Sequence, residues 1–165
     1  MSPERGQSFD IGFESRLGDS TSYGATFFQN EIRNEIFFTG GTFKNTNGTN
    51  SRRGVEAWFE KYLLDGLSFR TAYTYTEGDS LVDVPESQWD ASLRYAKDRW
   101  IANVRTRWSS NHLIIVFNMD DFTVGELGEK GSFTVDSTIA YKLNKNTEVY
   151  FRAENLFSED YNLGG

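Results

Sequence analysis

The 165-residue chain contains no cysteine. That excludes a disulfide framework, a thiolate zinc site and a cysteine nucleophile. It holds one histidine, His112, so a catalytic triad or a histidine metal site would hang on that residue alone. With only 2 prolines and 15 glycines, collagen-like and proline-rich classes are out. Long apolar runs are missing too. The longest, 113–117, is five residues, against the roughly 18 that a spanning helix needs. Positive charge is in deficit: 17 Lys and Arg face 24 Asp and Glu, for a net charge of −7. This speaks against general nucleic-acid binding. The opening residues, Met1-Ser2-Pro3-Glu4-Arg5-Gly6, are polar and carry no secretory signal pattern. What is abundant is aromatic: 14 Phe, 8 Tyr and 4 Trp, 16% of the chain, which argues against disorder.

The period of the chain is two. In Phe9-Asp10-Ile11-Gly12-Phe13-Glu14-Ser15-Arg16-Leu17, odd positions are mostly apolar and even ones charged or small. Such alternation makes a strand with two unlike faces. It recurs over 67–76, 89–96, 100–108, 133–143 and 148–155, and less regularly near 23–38 and 55–64, so eight strands and no helix are expected. One face collects Phe13, Phe27, Phe59, Phe69, Leu93, Val104, Ile139 and Phe151, with Lys61 as its one charged exception if its strand continues. A lysine near a turn can snorkel to water. The other face collects Asp10, Glu14, Arg16, Glu56, Glu60, Arg70, Asp90, Arg94, Arg105, Arg107, Asp136, Lys142, Glu148, Arg152 and Glu154.

The links sort by length. Short ones at Gly18-Asp19-Ser20, Asp65-Gly66, Lys97-Asp98-Arg99 and Asn144-Lys145-Asn146 alternate with long ones at 39–54, 77–87 and 109–132. Asp65-Gly66 suits a tight hairpin in which both central residues take positive φ. Short turns on one side and long loops on the other are the asymmetry of an outer-membrane barrel. Aromatic positions agree. Tyr23, Tyr95, Trp100 and Tyr141 fall beside short turns, and Tyr73, Tyr75, Trp89, Trp108 and Phe133 beside long loops. Tyr and Trp favour membrane–water boundaries because each joins an apolar body to a polar tip. The expected fold is therefore all-β, an antiparallel meander of about eight transmembrane-type strands, part of a larger outer-membrane β-barrel.

Six short stretches, in order, resemble the carboxy-terminal part of the barrel of TonB-dependent outer-membrane receptors. They are Pro3-Glu4 with Ser8 and Gly12-Phe13-Glu14; Tyr23-Gly24-Ala25-Thr26-Phe27-Phe28; Gly54-Val55-Glu56; Asp65-Gly66-Leu67 with Tyr73-Thr74-Tyr75-Thr76; Val84-Pro85 leading to Leu93-Arg94-Tyr95; and Asn155-Leu156-Phe157-Ser158-Glu159-Asp160-Tyr161. The stretch 109–131 carries no such motif. The resemblance implies a Gram-negative outer-membrane importer of a scarce nutrient, of ferric-siderophore type. Its partners would be outer-membrane lipid, a plug domain, the TonB complex and the small-molecule ligand. Against the family pattern, residues 1–165 read as one partial barrel domain, with no plug and with the last barrel strand missing. Strand direction agrees: short turns in the periplasm would put both termini outside. Two other architectures fit the strand count: a soluble lipocalin-type barrel with the apolar face inside, and a small closed outer-membrane barrel acting as anchor or adhesin.

Chemistry-bearing residues are sparse. Arg105 and Arg107 are candidates to meet plug carboxylates or an anionic ligand; the plainer reading is that charges on this wet face pair with one another. Glu77, Asp79, Asp83 and Glu86 form an acidic loop cluster whose spacing misses the twelve-residue calcium loop; Asp120-Asp121 is read the same way. Gly125-Glu126-Leu127-Gly128-Glu129-Lys130-Gly131 lacks the strand-to-helix setting of a phosphate cradle. Asn47-Gly48-Thr49 is a glycosylation sequon by pattern only. His112 reads as a loop histidine with no partner. No pair of carboxylates stands out as acid and base. The chain is expected to be no enzyme, with no catalytic, metal or cofactor site and no ligand residues assigned.

Overall fold

The computed structural model describes residues 1–39, 41–79, 84–118, 123–129 and 131–157. Among them there are strands and turns and no helix. Eight strands form one antiparallel sheet: β1 (Arg5–Leu17), β2 (Thr21–Arg33), β5 (Thr49–Leu64), β6 (Leu67–Gly78), β7 (Ser87–Lys97), β8 (Trp100–Ser109), β11 (Phe133–Asn144) and β12 (Thr147–Ala153). Each pairs with its neighbours in that order. Two small hairpins stand in the long links: β3 (Ile36–Thr39) with β4 (Thr42–Asn45), and β9 (His112–Asn118) with β10 (Thr123–Glu129). Among the described residues β1 and β12 do not pair with each other, so the sheet is open rather than a closed eight-stranded barrel.

Register turns the alternation in each strand into two continuous surfaces, because directly opposed residues share a face. Phe13, Ala25, Ala57, Tyr73, Trp89, Trp108 and Phe133 lie in one cross-strand row. Nearer the short turns, Lys61 stands opposite Phe69, then come Leu93, Val104 and Ser137. Lys61 is thus a true exception on the apolar surface, and it is exposed. The rows between carry charge: Glu60 and Arg70 oppose each other, as do Asp90 and Arg107, and Arg105 and Asp136.

The apolar surface encloses nothing. Phe13 is 59% exposed, Leu93 44%, Val104 45% and Ile139 49%, and no side chain among the described residues is fully buried. A lipocalin-type barrel would wrap these residues around a dry centre. Polar atoms on the apolar side are turned back onto the protein. Trp89 Nε1 donates to Thr71 Oγ1 at 2.8 Å, and Thr71 Oγ1 donates to the Asp90 carbonyl at 3.0 Å. A surface bathed in hydrocarbon requires that economy, since no water is there to satisfy a stray donor.

Five local readings are corrected. The second strand stops at Arg33, where Asn34 takes φ 56° and breaks the ladder; β3 begins after it. The strand expected near 55–64 begins at Thr49. The link 109–132 contains the β9–β10 hairpin, so His112 opens a strand instead of lying in an irregular loop. The last strand runs only to Ala153, with Asn155 at φ 48° beyond it. In the Asp65-Gly66 turn only Gly66 has positive φ, 80°, and a register shift between Tyr62 and Leu64 absorbs the difference. An extra residue in one strand reshapes the turn that the neighbouring loop must make.

Candidate functional site

The charged side of the sheet carries the chemistry, and it is built from alternate residues of every long strand. Its centre is a zigzag across three strands. Arg105 on β8 donates Nε to Asp90 Oδ2 on β7 at 2.5 Å. Arg107, two residues on, donates Nη2 to Asp136 Oδ2 on β11 at 2.6 Å. Neither arginine takes the acid directly opposite; each reaches diagonally, as long side chains on a pleated sheet can. The other oxygen of Asp136 accepts the Asn155 backbone N–H at 3.0 Å, so the carboxylate also fastens the backbone just past β12. Arg70 sits 3.5 Å from Glu60 and 5.5 Å above the Trp58 ring, an arrangement that combines an ion pair with a cation–π contact.

Two grooves open on this side. One, about 450 Å³, is lined by Ala72, Thr74, Gln88, Asp90, Arg105 and Arg107 among others. The second, about 370 Å³, lies toward the short-turn end among Glu14, Arg16, Ser22, Trp58 and Glu60. Both are open, with walls about equally polar and apolar, and charged side chains of both signs line each.

Two aromatics on the charged side escaped the sequence reading. Trp58 stands opposite Gly24, and Phe28 opposite Gly54. Each ring occupies the space that a Cβ on its glycine would need. A Cβ on Gly24 would fall 2.8 Å from Trp58 Nε1, and one on Gly54 2.5 Å from Phe28 Cζ. The available signal was the glycine, since glycine inside a strand marks a close approach.

At the long-loop end the apolar side turns polar. Beyond Val55 and Tyr75 the next opposed residues are Arg53 and Glu77, which form a 2.5 Å ion pair, with Gln29 alongside. Tyr75 and its neighbours thus mark a boundary. At the short-turn end, Trp100 and Tyr141 pack with ring centroids 4.7 Å apart. There Lys97 donates to Asp65 Oδ2 at 2.9 Å, and this hydrogen bond and charge raise its pKa above the usual lysine range.

The remaining sequence candidates are dispersed. Arg105 and Arg107 come together, but each is held by a carboxylate of this chain. In the acidic loop Glu77 is paired with Arg53, Asp79 accepts the Ser51 N–H at 3.1 Å, and the Glu86 carbonyl accepts Thr76 N–H at 2.8 Å. Asp83, Asp120, Asp121 and Lys130 lie outside the described residues. Among the described residues no group of three or more His, Asp or Glu side chains is placed to hold a metal ion. Residues 125–129 run as β10, a strand and not a phosphate-binding turn. His112 is not partnerless: its Nδ1 lies 3.3 Å from the Ser110 carbonyl oxygen.

A family model of the TonB dependent receptor-like β-barrel matches residues 1–156. The chain belongs to that family. Solved structures share the fold. The ferric-catecholate import receptor Fiu of E. coli K12 superposes with a TM-score of 0.70 at 20% identity, covering 97% of this chain and 24% of its own. The copper transporter OprC gives a TM-score of 0.77 at 20% identity, covering 96% and 26%. The ferric enterobactin receptor PfeA of Pseudomonas aeruginosa gives 0.74 at 18% identity, covering 94% and 26%. The chain thus spans about a quarter of the length of these receptors. No curated protein matches it.

Proposed function

We propose that the chain is a section of the wall of a TonB-dependent outer-membrane receptor in a Gram-negative bacterium, and that the receptor imports a ferric siderophore. The plug and the remaining strands belong to the rest of the receptor, and residues 1–165 act as a single section of barrel. The observation that carries this reading is the division of one sheet into an exposed apolar side and a salt-bridged, grooved side, with aromatic residues at both limits of the apolar band. The apolar side faces lipid; the charged side faces a hydrated lumen, where the plug and the passing cargo meet it. Iron-receptor neighbours such as Fiu and PfeA support a siderophore as cargo. The family and these neighbours are transport receptors, and we assign the chain no catalytic role.

The absence of native cysteine gives a clean test. Ser92→Cys lies on the charged side and Leu93→Cys on the apolar side. In vesicles a water-soluble maleimide should label the first and spare the second. Reversed or equal labelling overturns the orientation. Cargo is tested separately, by uptake of radiolabelled ferric catecholate into cells carrying the receptor; uptake that does not depend on the receptor removes the siderophore assignment.

A further inference from the structure

The chain as a whole is acidic, at −7, yet one corner of its short-turn end is not. Lys97, Trp100, Tyr141 and Val149 lie in one cross-strand row on the apolar side. Two adjacent turns close around that row, Lys97-Asp98-Arg99 and Asn144-Lys145-Asn146, tied by the Lys142 N–H donating to the Arg99 carbonyl at 2.9 Å. Lys97 is already satisfied by Asp65, and Lys142 stands opposite Glu148. Arg99 and Lys145 make no ion pair among the described residues, and Asp98 between them is the only further acid in the two turns. Arg99, Trp100 and Lys145 are exposed.

We propose that this corner is a binding site for an anionic phospholipid headgroup of the periplasmic leaflet. The Trp100–Tyr141 pair rests against the upper acyl chain, where amphipathic rings favour the boundary. Arg99 and Lys145 take the phosphate from the turn side. Charge complementarity selects the occupant: a zwitterionic headgroup brings its own cation and gains less from two free ones. The site rests on the lipid-facing orientation proposed above.

Lipids brominated on the acyl chain test both separately. Single-tryptophan versions of the full chain keep either Trp100 or Trp108, with the other tryptophans changed to Phe. In vesicles containing equal amounts of phosphatidylglycerol and phosphatidylcholine, one or the other carries bromine. Each cation near an anionic surface favours the charged lipid roughly five-fold. Trp100 should therefore be quenched more by brominated phosphatidylglycerol, and the preference should disappear in Arg99→Gln/Lys145→Gln. Trp108, at the opposite limit of the band, should show no preference. Equal quenching of Trp100 by both lipids, or a preference that survives the double change, overturns the site while leaving the orientation intact. Failure of either lipid to quench either tryptophan overturns the orientation instead.

Discussion

Gly54 provides a direct test of how tightly the charged side is built. It is buried on β5, between Phe28 on β2 and Thr76 on β6. A Cβ there would stand 2.1 Å from the Tyr75 carbonyl oxygen and 2.5 Å from Phe28 Cζ. The ring can swing aside, but the carbonyl belongs to the sheet ladder and cannot. Overpacking of this sort costs about 1–3 kcal/mol. At about 2 kcal/mol, and a urea dependence of about 2 kcal/mol per M, Gly54→Ala should lower the unfolding midpoint by about 1 M. Gly6 is the control. Its Cβ would meet nothing nearer than the Glu31 carbonyl at 4.0 Å, so Gly6→Ala should be neutral or stabilise by about 0.4–1 kcal/mol through the unfolded chain. Tryptophan fluorescence during urea titration in lipid vesicles reads both. Because the carbonyl is the obstacle, Phe28→Ala should not rescue Gly54→Ala. Matching midpoints for the two glycine variants would refute the reasoning, and full rescue by Phe28→Ala would shift the cause from backbone to ring.

Three further outcomes are expected. Val104→Arg, in the middle of the apolar side, should cost about 2–4 kcal/mol in the bilayer, whereas Asn103→Arg on the other face should cost less than about 1 kcal/mol; urea titration of the two variants compares them. A double-mutant cycle on Arg107 and Asp136 should give a coupling of only about 0.2–1 kcal/mol that shrinks in high salt, because both groups are partly exposed. At the turn, the Lys97–Asp65 contact raises the lysine pKa. Its contribution is therefore complete below the ordinary lysine pKa and is lost as pH rises through the raised one. Lysine NMR titration should find Lys97 above the ordinary lysine range, and Asp65→Asn should bring it down.

The sheet was legible because its period is two and each strand is bounded by a turn signal. Swapping faces needs only a one-residue slip, and charge such as Arg70 opposite Glu60 punishes that slip. The two hairpins in the long links were not legible, for different reasons. The run 36–38, Ile36-Phe37-Phe38, follows β2 after only Asn34 and Glu35, and the positive φ of Asn34 ends the first ladder there. In 113–117, Leu113-Ile114-Ile115-Val116-Phe117, no alternation exists, so period cannot identify a strand. The diagonal pairing of Arg105 with Asp90 and Arg107 with Asp136 was beyond sequence reading, since it depends on rotamers across three strands. So was the fastening of Asn155 to Asp136, which joins residues 19 apart through a backbone donor.

Magnitudes decide which way the wall faces, without appeal to relatives. Reversing the sheet would place Arg70, Arg94 and Arg105 against hydrocarbon, Arg105 at mid-strand and the other two three positions from a strand end. At about 2–4 kcal/mol for an arginine at the bilayer midplane and about 0–1 kcal/mol for one near a boundary, that costs about 2–6 kcal/mol. A folded domain commands only about 5–15 kcal/mol in all, so the reversed wall would forfeit a large share of its stability. The opposite placement carries no comparable penalty, because Arg70 and Arg105 keep water and their carboxylates, and the apolar side leaves water altogether. Lys61 is the residue that this balance tolerates, three positions from the turn at Leu64 and free to extend its ammonium past it. A second lysine at Phe59, one row deeper on the same side and midway between Lys61 and the Ala57 row of boundary aromatics, has no such exit. Phe59→Lys should therefore block insertion while the native Lys61 does not, and vesicle flotation of the two chains would separate depth of placement from mere presence of charge.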